Sequence, residues 1–341
     1  MKKFLSVLML ALVLVLVTGC TKPEEVVEEP RTYMADGTYM AWKLNLTSTN
    51  LLLPDGTPLK DNDDKNIKVN TPVLLTVKVL IHNDEIVSYD IDELQSTAYV
   101  STPRGSSVPN YDPETKAVSG VTWKWNDMTK KELEYGYNME NQAPKGEWYI
   151  QALALENHWL TGGEITDETT PLTAATIHFN DYAEVAKEAV QNAKDGKVAA
   201  ITDREHYTYD VTYVTGDINA EGKISNIALD AMMFGGLKEN TYTVDHDDYL
   251  KFSWNAETKY ESYDPMGVGG PLWQDQIDTM VEYINANGWN GSLTSGNGTD
   301  ATKGLTNFGE SVEALTSVTI QVYREVYVMN QLLKFFPKGW N

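Results

Sequence analysis

The sequence repeats itself, and this repetition limits the possible folds more than any other feature. Residues 172–177 (LTAATI) return as residues 315–320 (LTSVTI). Ahead of each block stands a run with apolar residues at offsets 0, 4, 7 and 11, the spacing of one helix face. The two runs are Trp148, Ala152, Leu155, Trp159 and Trp273, Ile277, Met280, Ile284. Matched blocks in the same order predict a duplicated domain, so that any site should be sought twice.

Two smaller matches support the duplication. Both helical runs carry glutamine at offset 3, as Gln151 and Gln276. Further upstream, Asp92 follows Ile86 by six residues, just as Asp230 follows Ile224. We therefore place one domain at 35–198 and a second at 199–341.

The N-terminus has the pattern of an export signal. Lys2 and Lys3 precede an apolar run over 4–17, and Cys20 follows small residues. This ending resembles the lipobox of bacterial lipoproteins, which implies that residues 1–19 are a signal peptide and that the Cys20 sulfur is lipidated. The alternative is an ordinary membrane anchor with an incidental cysteine, although the apolar run is short for a spanning helix.

Cysteine content and charge exclude several classes of protein. Cys20 is the only cysteine, so internal disulfides, thiolate metal sites and a thiol nucleophile are excluded. The formal net charge of −22 argues against nucleic acid as a partner and against a protein that lies flat on anionic lipid. Residues 20–34 are acidic and proline-bounded, which predicts a disordered tether.

The order of predicted elements indicates an α+β fold. In each half strands come first and helices follow, which favours an antiparallel sheet with amphipathic helices packed against it over a doubly wound parallel sheet. The predicted strands are 39–46, 73–81, 86–91 and 121–125 in the first half, and 207–214 and 223–229 in the second. The predicted helices begin near Trp148, Tyr182, Trp273 and Val322, and Asn83-Asp84 is predicted to turn the first hairpin.

Familiar catalytic patterns are absent from the sequence. It contains no G-x-S-x-G elbow, no H-E-x-x-H and no Walker loop. The five histidines show no metal-ligand spacing, and we predict no metal site. These observations favour a binding protein or an electron carrier over an enzyme, and they leave a hydrolase as the third choice.

The repeated threonine block is the first candidate site. Thr176 and Thr319 each stand ahead of a predicted final helix. The first-turn N–H groups and the dipole of a helix attract anions, so a threonine there can hydrogen-bond a phosphate or be esterified by one. The alternative is that each threonine simply caps its helix.

A family resemblance rests on several of these features. The sequence Asp36-Gly37-Thr38-Tyr39, the hairpin, and a [Ser/Thr]-x-[Ala/Val]-Thr block before a final helix resemble the FMN-binding domain of exported bacterial flavoproteins. Residues 129–139 (TKKELEYGYNM), with Trp148, also look like Gram-positive lipoproteins related to that family. The resemblance covers most of 36–195 and, more weakly, 205–335.

The resemblance implies FMN as a cofactor, in some members attached to the last threonine of the motif through a phosphodiester. The family motif resembles Ser-Gly-Ala-Thr, and by position its last residue is Thr176 or Thr319, where Ala174 and Ser317 replace the motif glycine. Residues 119–122 (SGVT) match the motif letters more closely, which makes Gly120 and Thr122 further candidates.

Two functions from different classes follow. The first is a surface lipoprotein that binds FMN and transfers electrons to a redox partner, anchored through Cys20 to lipid on the outer face of the cytoplasmic membrane of a Gram-positive-like cell. The second is a ligand-binding or adhesion lipoprotein that keeps the fold without flavin and uses an aromatic cleft for a sugar, a peptide or a partner protein.

Overall fold

The computed structural model of the protein describes residues 30–137, 146–166, 180–202, 210–233, 249–250, 258–261, 272–291, 315, 318, 320 and 322–340. The chain divides into two compact units, Met1–Thr32 and Tyr33–Asn341. The elements and core described below belong to the second unit. Among the described residues, no helix combines the length and the apolar character needed to cross a membrane.

The predicted strands and helices follow one another in the predicted order, and a short helix at 130–133 and a strand at 197–201 occur in addition. The strands are β1 (Gly37–Leu52), β2 (Lys68–His82), β3 (Glu85–Val100), β4 (Val121–Trp125), β5 (Lys197–Ile201), β6 (Asp210–Ile218), β7 (Ile224–Met233) and β8 (Tyr249–Leu250). The helices are α1 (Lys130–Leu133), α2 (Trp148–Leu160), α3 (Asn180–Asp195), α4 (Trp273–Asn287) and α5 (Tyr323–Phe335).

The strands form two sheets. The first has the order β4-β3-β1-β2-β8, with a further pairing between β2 and β3, and the second has the order β5-β6-β7. The long pairings β1–β2, β2–β3, β5–β6 and β6–β7 are all antiparallel. The predicted α+β class with antiparallel sheets is confirmed.

The first hairpin turns where the sequence predicts it. Asn83 and Asp84 have φ values of 52° and 63°, the left-handed conformation that a two-residue type I′ turn requires. Asp36 fixes the turn, because its carboxylate accepts a hydrogen bond from the Asn83 N–H at 2.8 Å. Strands β2 and β3 both extend beyond the predicted limits. In β3 this is because the strand continues through buried polar residues such as Glu93 and Ser96.

The helices cover the two sheets in the same pattern. In the first half, α2 packs against β3 and α3 packs against β1 and β2; in the second, α4 packs against β7 and α5 against β5 and β6. The four residues predicted for the α2 face are all buried, and Tyr182 and Ala189 lie on the buried face of α3. Helical periodicity therefore identified the core-facing sides correctly.

One hydrophobic core includes residues from both halves of the chain. The Tyr39 and Phe336 rings make an edge contact with their centroids 5.0 Å apart, and the centroids of the Trp42 and Tyr213 rings lie 5.4 Å apart. Strand β5, which the sequence analysis did not predict, spans the proposed boundary between residues 198 and 199. The division into two domains stays a prediction.

Candidate functional site

Three residues predicted to carry function lie outside the described residues: Cys20, Thr176 and Thr319. Parts of the second threonine block are described. Leu315 and Val318 are buried, and the Ile320 N–H donates to Gln276 Oε1 at 3.0 Å. The glutamine shared by both helical runs therefore anchors the block in the second half.

Gly120 and Thr122 lie at the start of β4, not before a helix. Thr122 pairs with Tyr99 across the sheet. The Gly120 carbonyl accepts a hydrogen bond from the Ser101 N–H at 3.0 Å, and a Cβ on Gly120 would overlap the side chains of Ser101 and Asn110. Close packing against Ser101 and Asn110 thus explains why a residue without a side chain stands at position 120. The assignment of Gly120 to a phosphate site stays a prediction.

A cleft of about 420 Å³, here called the central cleft, brings together distant parts of the chain. Residues of β1, β2, β3 and α1 line it together with Thr202, which follows β5, and with residues of α5. The lining residues that matter most are Lys78, Asp92, Thr129, Thr202, Tyr327 and Phe335. The cleft thus combines three carboxylates (Asp92, Glu93 and Glu132), one lysine, hydroxyl groups and half-buried aromatic rings.

Asp92 lines the central cleft and has no cationic partner among the described residues. Its Oδ1 accepts hydrogen bonds from the Glu93 N–H at 2.8 Å and the Lys131 N–H at 3.3 Å. Burial raises the pKa of Asp92 even though these bonds and the Thr129 hydroxyl favour the charged form. A half-buried carboxylate in this state is stabilised when a cation binds to it.

The lysines near Asp92 are already paired with other carboxylates. Lys78 Nζ lies 3.1 Å from Asp90, and Lys131 Nζ lies 2.5 Å from Asp90 and 2.7 Å from Glu156. Burial opposes ionisation of Asp90, but these two lysines hold its pKa below the usual value. Burial likewise raises the pKa of Glu156, although the hydrogen bond from Lys131 acts in the opposite direction.

The short helix α1 positions both lysines of the TKKE sequence. A capping box joins Thr129 and Glu132, each accepting a hydrogen bond from the other's backbone N–H. Lys130 Nζ lies 2.6 Å from Glu93 Oε1, and both side chains are nearly buried. The Tyr182 hydroxyl also donates to Glu93. The sequence analysis singled out this motif by resemblance but assigned no role to it.

Thr202 lies in the wall of the central cleft and is fully buried. Its backbone N–H donates to the Thr212 carbonyl at 2.9 Å, whereas its Oγ1 has no hydrogen-bond partner among the described residues. Buried hydroxyl groups in folded proteins are nearly always hydrogen-bonded. The unpaired Thr202 hydroxyl is therefore an exception in the packing of this wall, and because its oxygen is itself buried it is not open to a ligand in the cleft.

A second cleft, here called the side cleft, has a volume of about 570 Å³. Its wall includes Trp42, Glu188, Lys197 and Asp217. Lys197 Nζ lies 2.7 Å from Asp217, and burial together with the nearby Glu184 raises the pKa of Glu188.

Both clefts fit a phosphate poorly. The central cleft contains one lysine against Asp92, Glu93 and Glu132, and the side cleft contains one lysine against two carboxylates. Such linings repel an anion. Within the described ranges, no group of three or more histidine, cysteine, aspartate or glutamate side chains could hold a metal ion.

Asp230 is the residue that the predicted duplication matches with Asp92. Its Oδ1 accepts hydrogen bonds from the Ala231 N–H at 2.7 Å and the Tyr260 N–H at 3.2 Å. The Tyr213 hydroxyl donates to its Oδ2 at 3.2 Å. Asp230 is not among the residues that line either cleft.

Comparison with known proteins adds no assignment. No family model matches the sequence, and neither a curated protein nor a solved structure is detectably similar to it. The resemblance to FMN-binding domains therefore stays a prediction, and a proposal of function depends on the chemistry of the clefts.

Proposed function

We propose that the protein is an exported, lipid-anchored binding protein whose ligand is a small organic cation, held in the central cleft. One observation carries the proposal: Asp92 is a half-buried carboxylate in the cleft wall, burial raises its pKa, and the nearby Lys78 and Lys131 are paired with other carboxylates. The proposed activity is binding alone.

An amine is the ligand group that suits Asp92 best. A hydrogen bond between a charged amine and a carboxylate contributes about 1.5–3 kcal/mol. The rings of Tyr327 and Phe335 offer apolar surface to the rest of the ligand. The polar side chains in the same lining, among them Lys78, Thr129 and Glu132, favour a polar, amine-bearing molecule over a purely apolar one.

Tandem duplication forms part of the proposal. Asp92 and Asp230 each accept two backbone N–H bonds, one from the next residue in the strand and one from a residue ahead of the next long helix, Lys131 ahead of α2 and Tyr260 ahead of α4. The helices then cover β1–β3 and β5–β7 in the same order. Because Asp230 lines neither cleft, we assign ligand binding to the first half and structural support to the second.

Flavin binding stays the competing prediction. Thr176 and Thr319, which would carry FMN, lie outside the described residues. The excess of carboxylates in both clefts disfavours its phosphate there. Export and lipidation of Cys20 enter the proposal on the sequence pattern alone.

The amine proposal predicts the effect of Asp92→Asn. Binding is measured by calorimetry with primary amines and their N-acetylated forms, for example glucosamine and N-acetylglucosamine. We expect the wild type to bind at least one amine but not its acetylated form, and Asp92→Asn to bind it about 10-fold to 100-fold more weakly, since one charged hydrogen bond is lost.

Asp230→Asn is the matched control. It removes the equivalent carboxylate outside the cleft and should leave amine affinity unchanged. The proposal is wrong if no amine binds at millimolar concentration, or if both variants weaken binding equally. Yellow protein that retains flavin from its host would favour the FMN prediction instead.

A second prediction concerns pH. Burial raises the pKa of Asp92, so its charge is lost at a higher pH than that of an exposed aspartate, whose pKa is about 3.9. An aliphatic amine stays protonated throughout this range. Amine affinity should therefore fall as the pH is lowered through the raised pKa of Asp92. The residual affinity of Asp92→Asn should not change over the same range, and parallel curves for the two proteins would contradict the assignment.

A further inference from the structure

The side cleft lies where two strand edges face each other. Over residues 37–50, β1 is paired with β2 alone, and β5 is paired only with β6 among the described strands. Strands β1 and β5 contact each other but form no ladder. Trp42 of β1 and Ala199 of β5 both line the side cleft. Main-chain edges therefore form two of its walls.

The main chain of Trp42 is directed away from β2. In an antiparallel pair, successive residues point their N–H and C=O groups alternately at the partner strand and away from it. The Met40 carbonyl points away, since it accepts a hydrogen bond from Asn192 Nδ2 at 3.1 Å. Trp42 lies two residues further along the same unbroken ladder, and no hydrogen bond within the described residues reaches its N–H or C=O. Both groups are thus available to a ligand in the side cleft.

Ala199 has the same arrangement on β5. Gly196 and Thr202 are hydrogen-bonded to β6, Gly196 through its carbonyl and Thr202 through its N–H. Because Ala199 stands three residues from each of them, it directs its N–H and C=O away from β6, where the described residues supply no partner. Ala199 is only 5% exposed, and main-chain groups at such depth are nearly always hydrogen-bonded. A partner for them is therefore expected from the side cleft.

The gap between the edges is too narrow for another strand. A strand inserted between β1 and β5 would hold them about 9.6 Å apart, twice the usual spacing of about 4.8 Å. Parts of the two strands instead lie within 8 Å of each other, measured between Cα atoms. A single hydroxyl group fits such a gap, because it accepts from an N–H of one strand and donates to a C=O of the other. The edges therefore favour a ligand rich in hydroxyl groups over an extended peptide.

The side chains of the side cleft suit an uncharged ligand. Lys197 Nζ lies 2.7 Å from Asp217 Oδ1, and Asn226 Nδ2 donates to Asp217 Oδ2 at 2.8 Å, so the charges of this pair are already satisfied. Glu188 is exposed, and because water screens its charge a cation would gain little free energy from it. Trp42 is half-buried and adds a large apolar ring, which suits the flat face of a sugar.

We propose that the side cleft binds a neutral sugar, whose hydroxyl groups bridge the main chains of Trp42 and Ala199 while its ring packs on the indole of Trp42. Asn192 Oδ1, which has no partner among the described residues, provides a further acceptor in the same wall. The site is separate from the central cleft, and its ligand carries no amine. The inference is therefore independent of the amine proposal.

Calorimetry on the full chain tests the proposal, with neutral hexoses and disaccharides that lack amino and acetamido groups. We expect the wild type to bind at least one of them with a Kd of about 1 mM or lower. Ala199→Pro removes the N–H that faces the side cleft and keeps the hydrogen bonds between β5 and β6, because Ala199 does not face β6. It should weaken binding at least about 10-fold while leaving the thermal unfolding transition within a few degrees of its original position.

Trp42→Leu tests the indole independently of the main chain. It should also weaken binding about 10-fold or more, since the apolar ring is lost. Trp273→Leu is the matched control, because Trp273 is likewise half-buried but lines neither cleft, and it should leave sugar affinity unchanged. If Ala199→Pro does not fold, the comparison of the two tryptophan variants decides. The proposal is wrong if no neutral sugar binds at millimolar concentration, if folded Ala199→Pro or Trp42→Leu binds as tightly as the wild type, or if Trp273→Leu weakens binding equally.

Discussion

Lys130→Met is expected to destabilise the protein by about 3–5 kcal/mol at pH 7, as is typical when one member of a buried ion pair is removed. The Lys130 and Glu93 side chains are only 11% and 8% exposed, with Nζ and Oε1 2.6 Å apart. Without the lysine, the Glu93 carboxylate keeps the Tyr182 hydroxyl and Gln95 as donors but loses its counter-charge. Urea unfolding followed by circular dichroism measures the loss.

The double variant Lys130→Met with Glu93→Gln separates charge from packing. The introduced glutamine would be neutral and its amide oxygen could still accept from Tyr182, so we expect the second substitution to recover more than half of the lost stability. Lys60→Met breaks an exposed pair with Asp64 and should cost less than about 1 kcal/mol. If Lys130→Met costs no more than Lys60→Met, the buried pair does not have the role assigned to it.

Much of this fold could be predicted because its elements carry strong local patterns. The face of α2 follows a period of 3.6 residues, and Asn83-Asp84 is a two-residue turn between apolar strands. Strand β5 was missed because KVAAI is short and directly follows the helix that ends at Asp195. No turn sequence beyond Gly196 separates the two, so the strand is recognisable only from its pairing with β6.

The central cleft could not be predicted in the same way. Asp92, Thr202 and Tyr327 come from three distant parts of the chain, and no local sequence pattern connects them. The repetition did single out Asp92 together with Asp230, but it did not indicate that only Asp92 of the two faces a cleft. That difference depends on tertiary packing.

The second large effect is expected for Gly196→Ala. Gly196 joins α3 to β5 with φ at 69°, and its carbonyl accepts a hydrogen bond from the Ile218 N–H at 2.7 Å. A Cβ here would overlap the Ile218 carbonyl oxygen and press on Met34. Left-handed strain costs about 1–2 kcal/mol and overpacking a further 1–3 kcal/mol, so we expect a total loss of about 2–5 kcal/mol in urea unfolding.

Gly222→Ala is the control for this prediction, because Gly222 has φ at 77° and a Cβ added there would meet no atom within 4 Å. It should show the backbone strain alone, about 1–2 kcal/mol. The additional loss of unfolding free energy in Gly196→Ala, relative to Gly222→Ala, then measures the contact between the end of α3 and β6, which connects the two halves. Because one core includes both halves, a single unfolding transition should shift as a whole. If two transitions appear and Gly196→Ala moves only one of them, the halves unfold separately, as the two-domain prediction implies.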